Sequence, residues 1–459
     1  MAARVRQDER VILGERHAWG DKRVPFSLSA ADRRQHLYVI GKSGTGKTTL
    51  LRNLILQDIE AGRGVAVIDP HGDLAQDILD HIPKRRSEDV AYFDPSDAEH
   101  PVGLNLVAHV PPGRRHLVAS GIVDAFKGIW SSSWGPRLEY VLHAAVAAVL
   151  DCENVSLLSV QRMLTDAPYR AWIVKQVKDP VVRGFWENEF ERYEPRFLQE
   201  VIAPIQNKIG RVLMAPHLRN ILGQVRSRID ARFMMDTGRI FIANLSKGKL
   251  GADNANLLGA LLVTQFQLAA MSRADVPESE RRPFHLYVDE FQSFASDSFA
   301  GALSEVRKYG LSLTLSHQYL AQLRPNILDA VFGNVGSVVS FRVGQADAEA
   351  LETLYGEGHA TTQLASLSNG EVYAKLLHNG RDAPPFVGRT YPPRGQRCGR
   401  RDKIIRRSRE RYSINRREIE RKVDQWTKLN ATGSRRNTSR ARTDRNTSKN
   451  SANQPLQPS

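Results

Sequence analysis

The chain has 459 residues, 41% of them apolar and 25% charged, with a formal net charge of +15. That length exceeds one compact core and predicts two or three structural units of an ordinary soluble composition. Its two cysteines, Cys152 and Cys398, stand far apart with no Cys/His cluster around them, which argues against a zinc site and suits a reducing cytoplasm.

The charge is uneven. From Tyr391 to Ser459 there are 20 Lys/Arg against 6 Asp/Glu, a net of +14, and the rest of the chain is nearly neutral at +1. A basic tail of this kind is an electrostatic footprint for polyanions, nucleic acid above all; the plainer alternative is a solubilising tail. The N-terminus is charged and lacks the apolar core of a signal peptide. The longest strongly apolar run is read at Val141–Leu150, broken by His143 and far short of the ~20 residues that span a bilayer. The expectation is a cytoplasmic protein with no intrinsic membrane span, peripheral at the inner membrane only through a partner.

In chain order, His36–Ile40 reads as a short buried strand, Gly41–Thr48 as a Gly-rich turn, and Thr49–Glu60 as a helix stopped by Gly62 and Gly64. Val65–Ile68 is a second strand, ending in Asp69-Pro70-His71-Gly72-Asp73. Such alternation predicts an α/β fold with a parallel-containing central sheet. From about Pro112 to Arg226 helical spacing dominates, at Arg137–Leu150, Leu157–Leu164, Tyr169–Lys178, Pro195–Met214 and Arg219–Val225. The α/β pattern resumes with strand Arg239–Leu245, helix Asn254–Met271 and strand Phe284–Val288. Helix Ser298–Tyr309, strand Leu311–Ser316, helix Asn326–Phe332, strand Ser337–Val343 and helix Ala346–Tyr355 follow, and Glu371–Leu377 and Pro385–Tyr391 add strands. The chain therefore divides into an α/β domain (1–111 and 227–393), an all-helical insertion (112–226), a basic helical extension (394–428) and a tail (429–459) whose Asn/Ser/Thr/Arg composition predicts disorder.

The most specific motif is Gly41-Lys42-Ser43-Gly44-Thr45-Gly46-Lys47-Thr48, followed by Thr49, between a strand and a helix. Its glycines let successive backbone N–H groups turn toward phosphate oxygens, and the helix N-terminus adds its positive dipole end. Lys47 is read as neutralising the β and γ phosphates of ATP, and the Thr48 hydroxyl as a Mg²⁺ ligand. The second motif, Leu286-Tyr287-Val288-Asp289-Glu290, delivers two carboxylates to a strand end. Asp289 is read as holding Mg²⁺ and Glu290 as the general base; Asp69 ends another apolar strand and is a rival, read as a supporting or structural residue with a direct role as the alternative. Gln318, after strand Leu311–Ser316, suits a γ-phosphate sensor, with His317 beside it a packing residue. Two arginines are candidates for a finger supplied by a neighbouring subunit: Arg307, just before the sensor strand, and Arg342, ending another strand.

The segments HLYVIGKSGTGKTTL, GVAVIDPHGDL, FDPSDAEHPVGLN, YVDEFQSFAS, VRKYGLSLTLSHQYLAQL and NVGSVVSFRVGQADAEAL resemble the HerA/FtsK-type P-loop ATPases, and more narrowly the TraG/TraD-like conjugative coupling proteins of type IV secretion, over roughly residues 30 to 425. The resemblance implies a RecA-like ATPase domain carrying an all-helical domain, assembled as a homo-hexamer around DNA. It implies Lys47 and Thr48 as nucleotide-binding residues, Asp289 and Glu290 as the Walker B pair, Gln318 as the sensor and Arg307 as the finger acting in trans. Coupling proteins usually begin with a transmembrane anchor, and here the phosphate loop starts at residue 41.

These readings imply an ATP-dependent DNA translocase that moves DNA, or a relaxase–DNA complex, toward type IV secretion channel components. Alternatives are a DNA-processing motor partnered by a nuclease, a regulatory ATPase serving as a recruitment platform, and an ATPase that energises protein secretion. Arg406, Arg407, Arg409, Arg435 and Arg436 mark the densest charge of the extension and tail and are the expected DNA contacts. Base stacking and sequence-specific readout are not indicated.

Overall fold

The computed structural model describes residues 10–18, 20, 22–356 and 360–426. A hairpin of β1 (Val11–Ala18) and β2 (Lys22–Leu28) precedes β3 (Leu37–Ile40), β4 (Gly64–Asp69) and β5 (Val90–Phe93). After a long helical segment come β6 (Ile240–Asn244), β7 (Phe284–Val288), β8 (Leu311–His317) and β9 (Ser337–Ser340). Then follow β10 (Glu371–Lys375), a small ribbon of β11 (Leu377–His378) with β12 (Arg381–Asp382), and β13 (Phe386–Thr390). All but the ribbon form one sheet in the order β2-β1-β13-β10-β9-β3-β8-β7-β4-β6-β5. From β9 to β5 every neighbouring pair is parallel. The strands β10, β13, β1 and β2 extend this block in antiparallel fashion.

The central strands are continuous apolar runs, buried at every position in β3 and β4, because helices cover both faces. Side chains alternate between two cores. Tyr38, Ile40, Ala66, Ile68, Leu286 and Val288 face one, and Leu37, Val39, Val65, Val67 and Tyr287 face the other. The second core receives the helices Lys47–Glu60 and Asp73–His81 and the N-terminal hairpin. Sequence reasoning did not find that hairpin: its strands carry charged, half-exposed positions that break the apolar pattern.

The helical segment between β5 and β6 shares the first core rather than enclosing a separate one. Its first helix, Arg115–Ile129, packs along Ala252–Ser272. A Cβ at Gly121 would come within 2.6 Å of Thr264 Cγ2, so glycine sets that close approach. The helix expected at Pro195–Met214 is interrupted: Pro195–Ile205 gives way to a π-helical turn, Gln206–Gly210, before Arg211–Met214. Pro204 lies inside the first part, lacks an N–H and crowds the preceding turn, and the ladder shifts after it.

Helix Ala252–Ser272 corrects the sequence reading of apolar runs. Among the described residues one helix, Ala252–Asp275, is long and apolar enough to cross a membrane, but 72% of its apolar window is buried inside the protein. It is the core helix between sheet and helical segment, and it outranks Val141–Leu150.

The basic extension is folded against the body. Helix Arg401–Tyr412 and a second helix over residues 416–426 run from the edge strand β5 to the helical segment. Ser408 Oγ accepts from Tyr92 N–H at 2.8 Å and donates to Tyr92 O at 3.3 Å, so a side chain completes the pairing of the exposed sheet edge. At the far end Arg162 stacks over Trp426, 4.7 Å from the ring centroid.

Candidate nucleotide-binding site

Four adjacent strands deliver the candidate residues to the C-terminal edge of the parallel block. The loop Gly41–Thr48 leaves β3 between β8 and β9, with Ile40 opposite His317 on one side and Ser340 on the other. Gly44 and Gly46 have φ of 77° and 123°, conformations that an L side chain rarely adopts. A Cβ at Gly41 would approach Phe341 Cβ to 2.6 Å, so the loop lies directly on the residue that follows β9. Lys42 N–H donates to Arg342 O at 2.8 Å, and Gly370 N–H to Thr45 O at 3.0 Å, which tie the loop to β9 and to the entry of β10. Thr45 Oγ1 donates to Lys42 O at 2.7 Å and braces the turn from within. Ser43 and Thr48 are exposed at its mouth, and Thr49 is half-buried in the first helical turn.

Lys47 is buried, and its Nζ donates to the carbonyls of Gly41 at 2.6 Å and Lys42 at 3.1 Å. Burial lowers its pKa, while Glu290 and Asp289 act to keep it protonated. The ammonium thus rests on the carbonyls of its own loop.

Asp289 and Glu290 follow β7 and are both buried. Burial, reinforced by the charges of Asp69 and Glu290, pushes the Asp289 carboxyl up to about 6. Glu290 is left-handed, φ 48° and ψ 48°, a strained conformation for a non-glycine residue. Its two carboxylate oxygens accept from two amides: Gln318 Nε2 at 3.0 Å and Gln292 Nε2 at 2.6 Å. Lys247, at the start of the helix after β6, donates to Ser293 Oγ at 2.8 Å and lies close enough to Glu290 for their charges to interact. Asp69 is structural: its oxygens accept from the N–H groups of His71 and Ala75, both at 2.9 Å. His317 is buried, its pKa pushed down to about 3, and contacts Tyr38 Oη at 3.3 Å, which suits packing rather than proton transfer.

This donor set fits a magnesium nucleotide. Burial, with the nearby charges of Asp69 and Glu290, raises the proton affinity of Asp289, and a divalent cation favours its charged form. Among the described residues no group of three or more His, Cys, Asp or Glu is placed to hold a metal. A cation here would therefore draw further ligands from Thr48, phosphate and water, the usual manner for Mg²⁺.

Residues 14–114 match the family model for the central domain of the helicase HerA. The bacterial conjugative coupling protein TrwB, in its unbound form, shares the fold with a TM-score of 0.60 and 15% identity, over 81% of this chain and 88% of its own. Its complex with ADP and Mg²⁺ gives 0.60 and 16%, over 85% and 97%. VirB4 of Thermoanaerobacter pseudethanolicus gives 0.54 and 14%, over 83% and 96%. The chain has the fold of the HerA/FtsK-type P-loop ATPases. No curated protein matches it in sequence.

In this HerA/FtsK-type fold Arg307 stands apart from the other candidates. It is exposed in the turn before β8, at the opposite end of that seven-residue strand from Gln318, roughly 20 Å away at ~3.3 Å per residue. It cannot serve its own chain's site. Arg342 is at its own chain's loop instead: its carbonyl holds Lys42, and its guanidinium reaches Asn369 Oδ1 at 3.4 Å. Arg342, the second candidate for a finger in trans, thus lies beside its own chain's phosphate loop.

In the extension, Arg409 pairs with Asp97 of the body at 2.7 Å, and Arg407 pairs with Glu410 of its own helix at 3.1 Å and with Glu88 of the body at 3.8 Å. Arg406 is exposed and has no ion pair among the described residues. Arg435 and Arg436 lie outside the described residues, as does all of 427–459.

Sequence reasoning missed Gln292, Phe341, Lys247 and the Asn369-Gly370 turn. Gln292 stands two residues beyond Glu290 and was within reach of the motif. The other three reach the site only through strand order.

Proposed function

We propose that this chain is a motor that hydrolyses ATP with Mg²⁺ and uses the cycle to move DNA, in the manner of a conjugative coupling protein. The observation that carries the reading is the convergence of Lys47, Asp289, Glu290 and Gln318 on adjacent strand ends, with Gln318 bonded to Glu290. In this reading the triphosphate lies over the amides of Gly41–Thr49, and Lys47 exchanges the Gly41 and Lys42 carbonyls for phosphate oxygens. Thr48 and Asp289 hold the magnesium ion, which neutralises charge on the transferring phosphate. Glu290 accepts a proton from the attacking water, and Gln318 orients that water toward the γ phosphate. Arg307 completes the site of the neighbouring subunit, which requires a ring or filament of copies, a homo-hexamer by resemblance.

DNA as the cargo is supported by the excess of basic residues at the C-terminal end and by the family-model match to a helicase domain. A relaxase–DNA complex and type IV secretion components are the partners the coupling-protein resemblance suggests. The HerA match favours a second reading with the same site chemistry: a DNA-processing motor that works beside a nuclease. The test is ATP-dependent displacement of a triplex strand from duplex DNA. The wild type should displace it and Glu290→Gln should not; displacement by Glu290→Gln at the wild-type rate would reject the assignment.

A further inference from the structure

A second polar cluster lies at the opposite end of helix Lys47–Glu60 from the phosphate loop. Asp58, near the end of helix Lys47–Glu60, is fully buried with Tyr287 of β7, and Arg33 is 5% exposed beside them. Arg33 Nη1 and Nη2 donate to the two Asp58 oxygens, both at 2.8 Å, and Nη2 also reaches Tyr287 Oη at 2.8 Å. Tyr287 Oη donates to Asp58 Oδ2 at 2.6 Å, and Arg63 Nε to Asp58 Oδ1 at 2.6 Å. Arg33 lies in the short helix just ahead of β3.

Stability alone is a poor reason for this cluster. Buried ionic groups lose much hydration energy, and apolar residues of equal volume often serve a core as well. A carboxylate in the last turn of a helix also opposes the helix dipole. What the cluster supplies is geometry. Tyr287 and Asp289 are two residues apart on one extended segment, since Asp289 N–H still pairs with Ile68 O at 3.1 Å. Both side chains therefore face the side of the sheet that carries helix Lys47–Glu60. That helix begins with Lys47 and Thr48 and nearly ends with Asp58. One end of it is bonded to β7 through Tyr287, and the other faces β7 at Asp289.

We propose that Tyr287, held by Asp58 and Arg33, is a positioning residue that fixes how far β7 slides along the phosphate-loop helix, and so the separation of Asp289 from Thr48 across the magnesium site. The inference rests on the nucleotide reading given above. Loss of the hydroxyl leaves the ring in its apolar core but removes the polar tie between the strand and the end of the helix. The effect falls on the magnesium-dependent part of nucleotide binding, whereas contacts of the loop amides and Lys47 are kept.

The test is equilibrium binding of a non-hydrolysable ATP analogue to the full chain, in Mg²⁺ and in EDTA, for wild type, Tyr287→Phe and a control. The control is Tyr169→Phe, which removes another buried hydroxyl, bonded to Ser159 Oγ at 3.0 Å in the helical segment. Tyr287→Phe is expected to lose roughly tenfold of the affinity gained from Mg²⁺, in line with losses of supporting residues at metal sites, while its affinity in EDTA stays at the wild-type value. Tyr169→Phe is expected to match wild type in both buffers. A full magnesium gain in Tyr287→Phe overturns the inference, and so does an equal loss in both variants. Wild-type protein that binds no analogue in either buffer overturns the nucleotide reading itself.

Discussion

The side-chain amide of Gln318, at the end of β8, donates to the Glu290 carboxylate, at the end of β7, at 3.0 Å. With Gln292 on the second oxygen at 2.6 Å, each carboxylate oxygen of the candidate base accepts from one amide and keeps a lone pair for a water. In the proposed cycle Gln318 turns from Glu290 toward the γ phosphate, which couples the base to the presence of a complete triphosphate. Glu290→Gln is expected to bind ATP at near wild-type affinity and to lose ~10²–10⁴-fold in kcat, the range for removing a general base. Gln318→Ala is expected to lower kcat while leaving ADP affinity unchanged. Steady-state turnover beside nucleotide titration checks both; normal turnover in Glu290→Gln would move the base elsewhere.

Asp289 gives a pH-dependent prediction. Its carboxyl is raised to about 6 from an ordinary 3.8, so the folded protein keeps a proton there that the unfolded chain releases. Its contribution to stability is greatest below about pH 4, declines as pH rises toward 6, and stays at its lowest above that. In nucleotide-free protein without Mg²⁺, Asp289→Asn should therefore be more stable than wild type at pH 7.5, by up to about 3 kcal/mol, and the gain should vanish near pH 4. Thermal melts at the two pH values check this. A gain equal at both would show that the carboxylate charge is not its source.

Arg307 lies too far from its own loop to act there, so its loss should be repairable by mixing. Arg307→Ala alone is expected to lose 10³-fold or more in assembled turnover, with ATP binding intact. Adding Lys47→Ala subunits, which carry Arg307 but cannot turn over, should restore part of the activity in mixed assemblies. Turnover by Arg307→Ala at the wild-type rate would remove this residue from the chemistry.

The docked extension predicts a stability phenotype at Ser408 and a small DNA-binding effect at Arg409, which sequence alone ranks as a DNA contact. Arg409→Ala breaks the pair with Asp97, and Ser408→Ala uncovers the Tyr92 amide and carbonyl on edge strand β5. Ser408→Ala should cost about 1–2 kcal/mol and raise aggregation on warming. Arg409→Ala should change the salt slope of DNA binding less than truncation after Leu429 does. Chemical denaturation and a salt series of DNA titrations separate the two effects.

Much of this was legible in the sequence because the motifs are local. Gly41–Thr48 between an apolar strand and an amphipathic helix, and Asp289-Glu290 after FHLYV, need only short-range pattern to be read. Six of the seven parallel strands, all but β5, were legible for the same reason, as apolar runs buried on both faces. What stayed hidden depends on distance in the chain. Phe341 and Gly370 meet the loop only because β9 neighbours β3 in the sheet and β10 lies next beyond it. Arg342 and Arg307 both border strands, and only strand direction tells which end each occupies. The charge of Arg407 and Arg409 read as a free surface because their partners Glu88 and Asp97 lie some 300 residues earlier. The helix Ala252–Ser272 was found, but its apolar length was underrated because Asn, Thr and Gln punctuate it.

The central claim is that this site burns ATP in service of DNA movement. Steady-state ATPase activity of the full chain, with and without DNA at low and high salt, tests it most directly, with Lys47→Ala as the blank. The account predicts activity absent in Lys47→Ala, stimulated by DNA, and stimulated less as salt screens phosphate contacts. Activity that is independent of Lys47, or indifferent to DNA at both salt concentrations, would contradict it.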